Sequence, residues 1–86
     1  MSTLEKRIRR LLQRPKDYTY DELRSLLHSL EYEEYNKGRT SGSRVLFAKK
    51  GKSKTLMLHI PHNPPYLKKY AIDNVIEFLK ESGDIQ

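Results

Sequence analysis

Apolar residues recur at helical spacing at both ends of the chain and alternate with polar ones in its middle. Leu4, Ile8, Leu11 and Leu12 fall on one side of a helix drawn over residues 3–13, whose outer face is basic, and Pro15 stops it. Thr19-Tyr20-Asp21-Glu22 reads as a capping box, with Thr19 as N-cap and Glu22 three residues on. Asp21 and Glu22 also suit the positive start of a helix. Leu23, Leu26, Leu27 and Leu30 then follow the i, i+3, i+4, i+7 pattern and predict a second helix.

After Leu30 the period changes. Residues 32–36 are short, aromatic and acidic and predict a weak first strand. Residues 38–42 are turn material. Residues 43–49 alternate, with Val45 and Phe47 on one face and Arg44, Leu46 and Ala48 on the other. Lys50-Gly51-Lys52-Ser53 predicts a tight hairpin in which Gly51 is the first central residue of a type II′ turn. Residues 54–60 form the third strand, with Leu56, Leu58 and Ile60 on one face and Thr55, Met57 and His59 on the other. Pro61, Pro64 and Pro65 make a stiff connection. Ala71, Ile72, Val75, Ile76 and Leu79 give a closing helix over residues 68–82, with Gly83 as its stop. The order ααβββα describes one α+β domain over residues 1–86. Its three-stranded antiparallel sheet packs on helices through one face and leaves the other open.

The hairpin also predicts a register. With Gly51 and Lys52 at the turn, Val45 faces Leu58 and Phe47 faces Leu56, so apolar residues meet apolar residues. A slip of one residue would break that agreement. The same register sets Arg44 opposite His59 on the open face, with Cβ atoms about 5 Å apart, whereas a slip of two residues keeps the faces but separates the pair.

Charge sharpens this picture. The net charge is +6 and unevenly spread. Lys6, Arg7, Arg9, Arg10, Arg14 and Lys16 make the first sixteen residues basic. Asp17, Asp21, Glu22, Glu31, Glu33 and Glu34 make residues 17–36 acidic. Residues 37–54 hold Lys37, Arg39, Arg44, Lys49, Lys50, Lys52 and Lys54 with no acid. A cation-only stretch of this length points to a polyanion partner. The chain has no cysteine, which excludes a disulfide framework, a thiolate zinc site and a cysteine nucleophile, and is compatible with a reducing cytoplasm. No apolar run approaches a membrane span, and the first residues lack the apolar segment of a secretory signal. His59-Ile60-Pro61-His62 could supply two metal ligands, but no nearby carboxylate or thiol completes a set, so neither metal nor cofactor is expected.

Three pieces together resemble the HicA toxin family: Gly42-Ser43-Arg44-Val45-Leu46-Phe47, then His59-Ile60-Pro61-His62, then the helix from Leu67-Lys68 to Leu79. The resemblance spans residues 18–83 and leaves the basic helix of residues 1–15 outside. It implies a fold similar to the double-stranded RNA-binding domain. It also implies the toxin component of a type II toxin–antitoxin system, a cytoplasmic mRNA interferase of the stress response that a HicB-type antitoxin protein covers.

One departure matters. Where the family motif carries a catalytic histidine, this chain has Arg44. Metal-independent RNA cleavage needs a base for the 2′-hydroxyl proton and an acid for the leaving oxygen, and histidine suits both. Arginine cannot act as base, but its guanidinium can hold a phosphate bidentately and stabilise developing charge. The candidate catalytic residues are therefore Arg44, His59 as its cross-strand partner, and His62 at the Ile-Pro edge. Ser43, Lys49, Lys50, Lys52, Lys68 and Lys69 are the candidate RNA contacts. His28 lies on the polar side of the second helix and is expected to be solvated. Two further readings stand beside the nuclease: a module of the same fold that binds RNA or antitoxin without cleaving, and a protein-interaction subunit that uses the acidic segment 17–36.

Overall fold

The computed structural model describes residues 3–36, 44–61 and 65–85. Among them are helices α1 (Thr3–Leu12), α2 (Tyr20–Ser29) and α3 (Lys69–Ser82) and strands β1 (Glu33–Asn36), β2 (Arg44–Ala48) and β3 (Leu56–His59). The strands form one antiparallel sheet in the order β1-β2-β3. The expected element order is met.

Each helix forms for a local reason. In α1 the apolar stripe places Leu11 in the core, with Leu4 and Ile8 packed against it. The capping box of α2 is complete: the Glu22 backbone N–H donates to Thr19 Oγ1 at 3.2 Å, and the Thr19 N–H donates to Glu22 Oε2 at 3.0 Å. Leu23, Leu26 and Leu27 bury the inner face of α2. α3 buries Ile72, Val75, Ile76 and Leu79 and ends at Gly83, whose φ of 86° is the left-handed conformation glycine adopts freely. The Asp84 N–H reaches back to Leu79 O at 3.0 Å. α2 ends in the same way on a residue less suited to it. Glu31 has φ 72°, and the Tyr32 N–H donates to Leu27 O at 2.9 Å.

The sheet turns one face to this core. Val45, Phe47, Leu56 and Leu58 are buried on it, joined by Tyr18 and Tyr32. Tyr32 belongs to the core rather than to β1, which starts one residue later than the pattern predicts. β3 is also shorter than predicted, since Lys54 and Thr55 precede it and Ile60 follows it.

The turn between β2 and β3 corrects the expected type II′ hairpin. The Lys52 N–H donates to Lys49 O at 3.0 Å, so Lys50 and Gly51 are the central residues. Gly51 occupies the second of them, with φ 86°. Residues 49–55 make a longer connection than a two-residue hairpin. The register nonetheless matches the one expected, with Val45 opposite Leu58 and Phe47 opposite Leu56. The apolar alternation excludes a slip of one residue.

Candidate functional site on the open sheet face

The open face is laid out in rows by the antiparallel pairing. Tyr35 of β1, Leu46 of β2 and Met57 of β3 are direct partners and cross the sheet as one row. The next row along β2 holds Arg44 opposite His59. On the other side of the apolar row, Glu33 faces Ala48. Tyr35 and Met57 are each 49% exposed, and Arg44 and His59 are exposed as well. The face is thus an apolar bar with a cation and an imidazole on one flank and a carboxylate on the other. The Tyr35 hydroxyl donates to Glu33 Oε2 at 2.5 Å, and this bond is the main cause that raises the phenol pKa.

Arg44 and His59 have no ion pair among the described residues, so both remain available to a ligand. Ser43 and His62, the other two residues the motifs point to, lie outside the described residues, as does the turn expected at 38–42.

Among the described residues, most lysines of the cation-only stretch have a partner that the sequence did not reveal. Lys49 Nζ is 2.9 Å from Asp84 Oδ1 and 5.2 Å from the centroid of the Tyr32 ring. Lys52 Nζ donates to Ser82 O at 3.1 Å, and Lys54 Nζ lies 3.1 Å from Glu81 Oε2. These three lysines gather at the C-terminus of α3, where carbonyls and the helix dipole favour positive charge. Asp84 also accepts from the Tyr32 hydroxyl at 2.5 Å and from Ser82 Oγ at 2.6 Å. Burial pushes the Asp84 carboxyl up. The hydrogen bonds from Ser82, Tyr32 and Lys49 outweigh it and hold the group below the usual carboxylate range. Burial, with the bond to Asp84 next, pushes the Tyr32 phenol up to about 12. Lys50 stays exposed with no ion pair among the described residues.

The other basic segment is partly spent in the same way. Arg10 bonds Glu22 through Nε at 2.9 Å and Asp17 through Nη2 at 3.2 Å, and Arg7 donates to Ser29 Oγ at 2.6 Å. The cleft between α1 and α2, about 330 Å³, is built around Arg10, Tyr18 and Glu22 and so reads as a packing seam. Arg24 takes Glu34 at 3.0 Å, and Glu34 also accepts from the Tyr20 hydroxyl, which ties α2 to β1. Several acids of segment 17–36 are therefore bound within the molecule. His28 is exposed, as expected.

A second basic surface remains open. The end of α1 and the start of α3 enclose a groove of about 690 Å³ that includes Arg14, Lys16, Tyr66, Lys68 and Lys69. Arg14 pairs with Asp73 at 2.6 Å, while Lys16, Lys68 and Lys69 have no ion pair among the described residues. Lys68 is the N-cap of α3 but makes no side-chain cap bond. The groove brings the segment that follows α1 together with the two lysines singled out near α3, a proximity that the sequence order conceals.

Among the described residues no group of His, Asp and Glu side chains is placed to hold a metal ion, and no helix is long and apolar enough to cross a membrane. Compared with known proteins, the chain matches no family model, no curated protein and no solved structure.

Proposed function

We propose that this chain is an RNA-directed toxin of the HicA type, a cytoplasmic mRNA interferase with a fold akin to the double-stranded RNA-binding domain, held in check by a HicB-type antitoxin protein. The observation that carries the reading is the pairing of Arg44 with His59 on an exposed sheet face, in the strand that holds the Arg44 to Phe47 part of the motif.

The chemistry follows from the two side chains. Arg44 holds the scissile phosphate through its guanidinium and stabilises the charge that builds on its oxygens. His59, as neutral imidazole, takes the proton of the adjacent 2′-hydroxyl. The 2′-oxygen attacks phosphorus, the bond from phosphorus to the 5′-oxygen breaks, and the proton returns to that 5′-oxygen from the imidazolium or through water. The products are a 2′,3′-cyclic phosphate and a 5′-hydroxyl, and nothing but the RNA is consumed. His62 is a second imidazole that could serve the leaving oxygen. Lys50, Lys68 and Lys69 supply phosphate contacts, with Ser43 beside Arg44. Lys49 and Lys52 contribute less, since α3 already engages them.

The replacement of the family's histidine by Arg44 favours a second reading, in which the face binds RNA or antitoxin without cleavage. Incubating purified protein with RNA in EDTA decides between them. Cleavage that His59→Ala abolishes supports the nuclease. Salt-dependent binding without product supports the second reading. Absence of RNA affinity at low salt removes the nuclease and leaves the second reading only in its antitoxin-binding form.

A further inference from the structure

The row Tyr35–Leu46–Met57 has no role in the chemistry above, yet it leaves two large side chains half in solvent in the middle of the proposed site. We infer that Tyr35 is a base-stacking residue and that the face takes single-stranded rather than duplex RNA; this rests on the RNA-directed reading of the same face.

The register carries the argument. Two residues along a strand separate the Tyr35 row from the Arg44–His59 row, a distance of about 7 Å. That is the reach from a base to a neighbouring phosphate in one nucleotide. A base laid on Tyr35, with Leu46 and Met57 beneath its neighbour, leaves the following phosphate over Arg44. Glu33 flanks the opposite side of the row and repels phosphate there, so the charge pattern admits the backbone on one side only. The bond from the Tyr35 hydroxyl to Glu33 tethers the phenol and lowers the entropy lost on stacking.

Duplex RNA fits this face poorly. Its bases are covered by their neighbours in the stack, and it is read through shape, phosphates and 2′-hydroxyls instead. Aromatic stacking needs a free base face, which single strands provide. The proposed chemistry points the same way, since in-line attack of a 2′-oxygen requires a backbone that is free to leave the A-form geometry. A protein laid on the same row is the competing occupant, with a second copy of this chain as its simplest form.

The test uses the full chain with a labelled, mixed-sequence 2′-O-methyl oligoribonucleotide of about 12 nucleotides, which cannot be cleaved, alone and annealed to its complement. Single-stranded probe is expected to bind at least tenfold more tightly than duplex. Tyr35→Ala is expected to weaken single-strand binding by about tenfold or more, and Tyr35→Phe, which keeps the ring and loses the Glu33 bond, to retain most of it. Circular dichroism checks that both variants fold. Equal binding of the two probes, or Tyr35→Ala binding like the parent while Arg44→Ala loses affinity, overturns the inference and leaves the RNA-directed reading intact. Self-association that Tyr35→Ala abolishes, without an effect on RNA, also overturns it and assigns the row to a second copy. Failure of both probes to bind at low salt overturns the inference together with the reading beneath it.

Discussion

Lys49 Nζ lies 2.9 Å from Asp84 Oδ1, and that ion pair fastens the β2–β3 connection to the end of α3. Asp84 is the centre of the fastening, since it also accepts from Tyr32 and Ser82. Its side chain is only 8% exposed, so an amide in its place takes the counter-charge from Lys49 and turns one of the two acceptor oxygens shared by Lys49, Tyr32 and Ser82 into a donor, in a sheltered place. Asp84→Asn is expected to destabilise the protein by about 1.5–3 kcal/mol in urea unfolding. The pH dependence follows from the lowered Asp84 pKa. A carboxyl held below its unfolded value stabilises the fold above that value, about 3.9, and loses the contribution as pH falls through the folded one. The parent is therefore expected to lose stability in acid below about pH 4 more steeply than Asp84→Asn. Parallel acid unfolding curves would falsify this account of the cluster.

Glu31 sits at the left-handed end of α2, where Gly83 sits at the end of α3. The backbone bonds are alike: the Tyr32 N–H reaches Leu27 O, and the Asp84 N–H reaches Leu79 O. Only the residue at positive φ differs. A side chain there costs about 1 kcal/mol that glycine does not incur. Glu31→Gly is expected to stabilise the protein by roughly that amount, net of the greater freedom glycine gives the unfolded chain. In a domain of this size the midpoint of thermal unfolding rises by a few degrees, at most about 4–8 °C. A fall in the midpoint would show that the Glu31 side chain has a stabilising interaction that outweighs its backbone strain.

The contrast between those two helix ends shows what was legible in the chain. Gly83 could be read as a stop because glycine is the usual residue there, whereas Glu31 gave no sign of the same backbone. The capping box at Thr19 and Glu22 and the apolar stripes were legible because each rests on local spacing, whereas the Arg44–His59 register came out as expected although the turn that predicted it lies one residue earlier. The destinations of Lys49, Lys52 and Lys54 were not. Their partners lie some thirty residues on, across the fold, and charge composition alone cannot tell a ligand-seeking lysine from one that satisfies a helix end. The bar of Tyr35, Leu46 and Met57 was half legible. Leu46 and Met57 could be placed on the open face from the hairpin, but Tyr35 joined them only once β1 was paired with β2.

The groove between α1 and α3 supports a prediction about affinity rather than chemistry. Lys16, Lys68 and Lys69 are open cations on a concave surface, and each phosphate they neutralise releases counterions. Lys68→Gln with Lys69→Gln is expected to weaken RNA binding at low salt. The slope of log affinity against log salt is expected to fall by about 0.7 for each phosphate of a single strand that is no longer neutralised. Lys16→Gln is expected to add to this, because the segment after α1 brings that residue to the same groove. Cleavage at saturating RNA is expected to stay near the parent's. An unchanged salt slope in the triple variant, measured by fluorescence anisotropy across a salt series, assigns RNA binding to the sheet face alone.

The central prediction concerns Arg44 and His59 themselves. Both are exposed, so substitutions there are expected to change stability by less than about 0.5 kcal/mol, and losses of activity can be read as losses of chemistry. Under the nuclease reading, His59→Ala removes the base and is expected to lower cleavage by about 100-fold or more. Arg44→Ala removes the phosphate clamp and is expected to cost a similar factor. Arg44→Lys keeps the charge without the planar fork and is expected to fall between Arg44→Ala and the parent. Arg44→His is the most informative change. It places an imidazole opposite His59, so that one ring can act as base and the other as acid across the same phosphate. If the strand position does the work of the family's histidine, Arg44→His cleaves at least as fast as the parent and forms the same cyclic phosphate end. If Arg44→His and His59→Ala both bind RNA as the parent does and none of the three yields product, the face is a binding surface, and the second reading stands in place of the first.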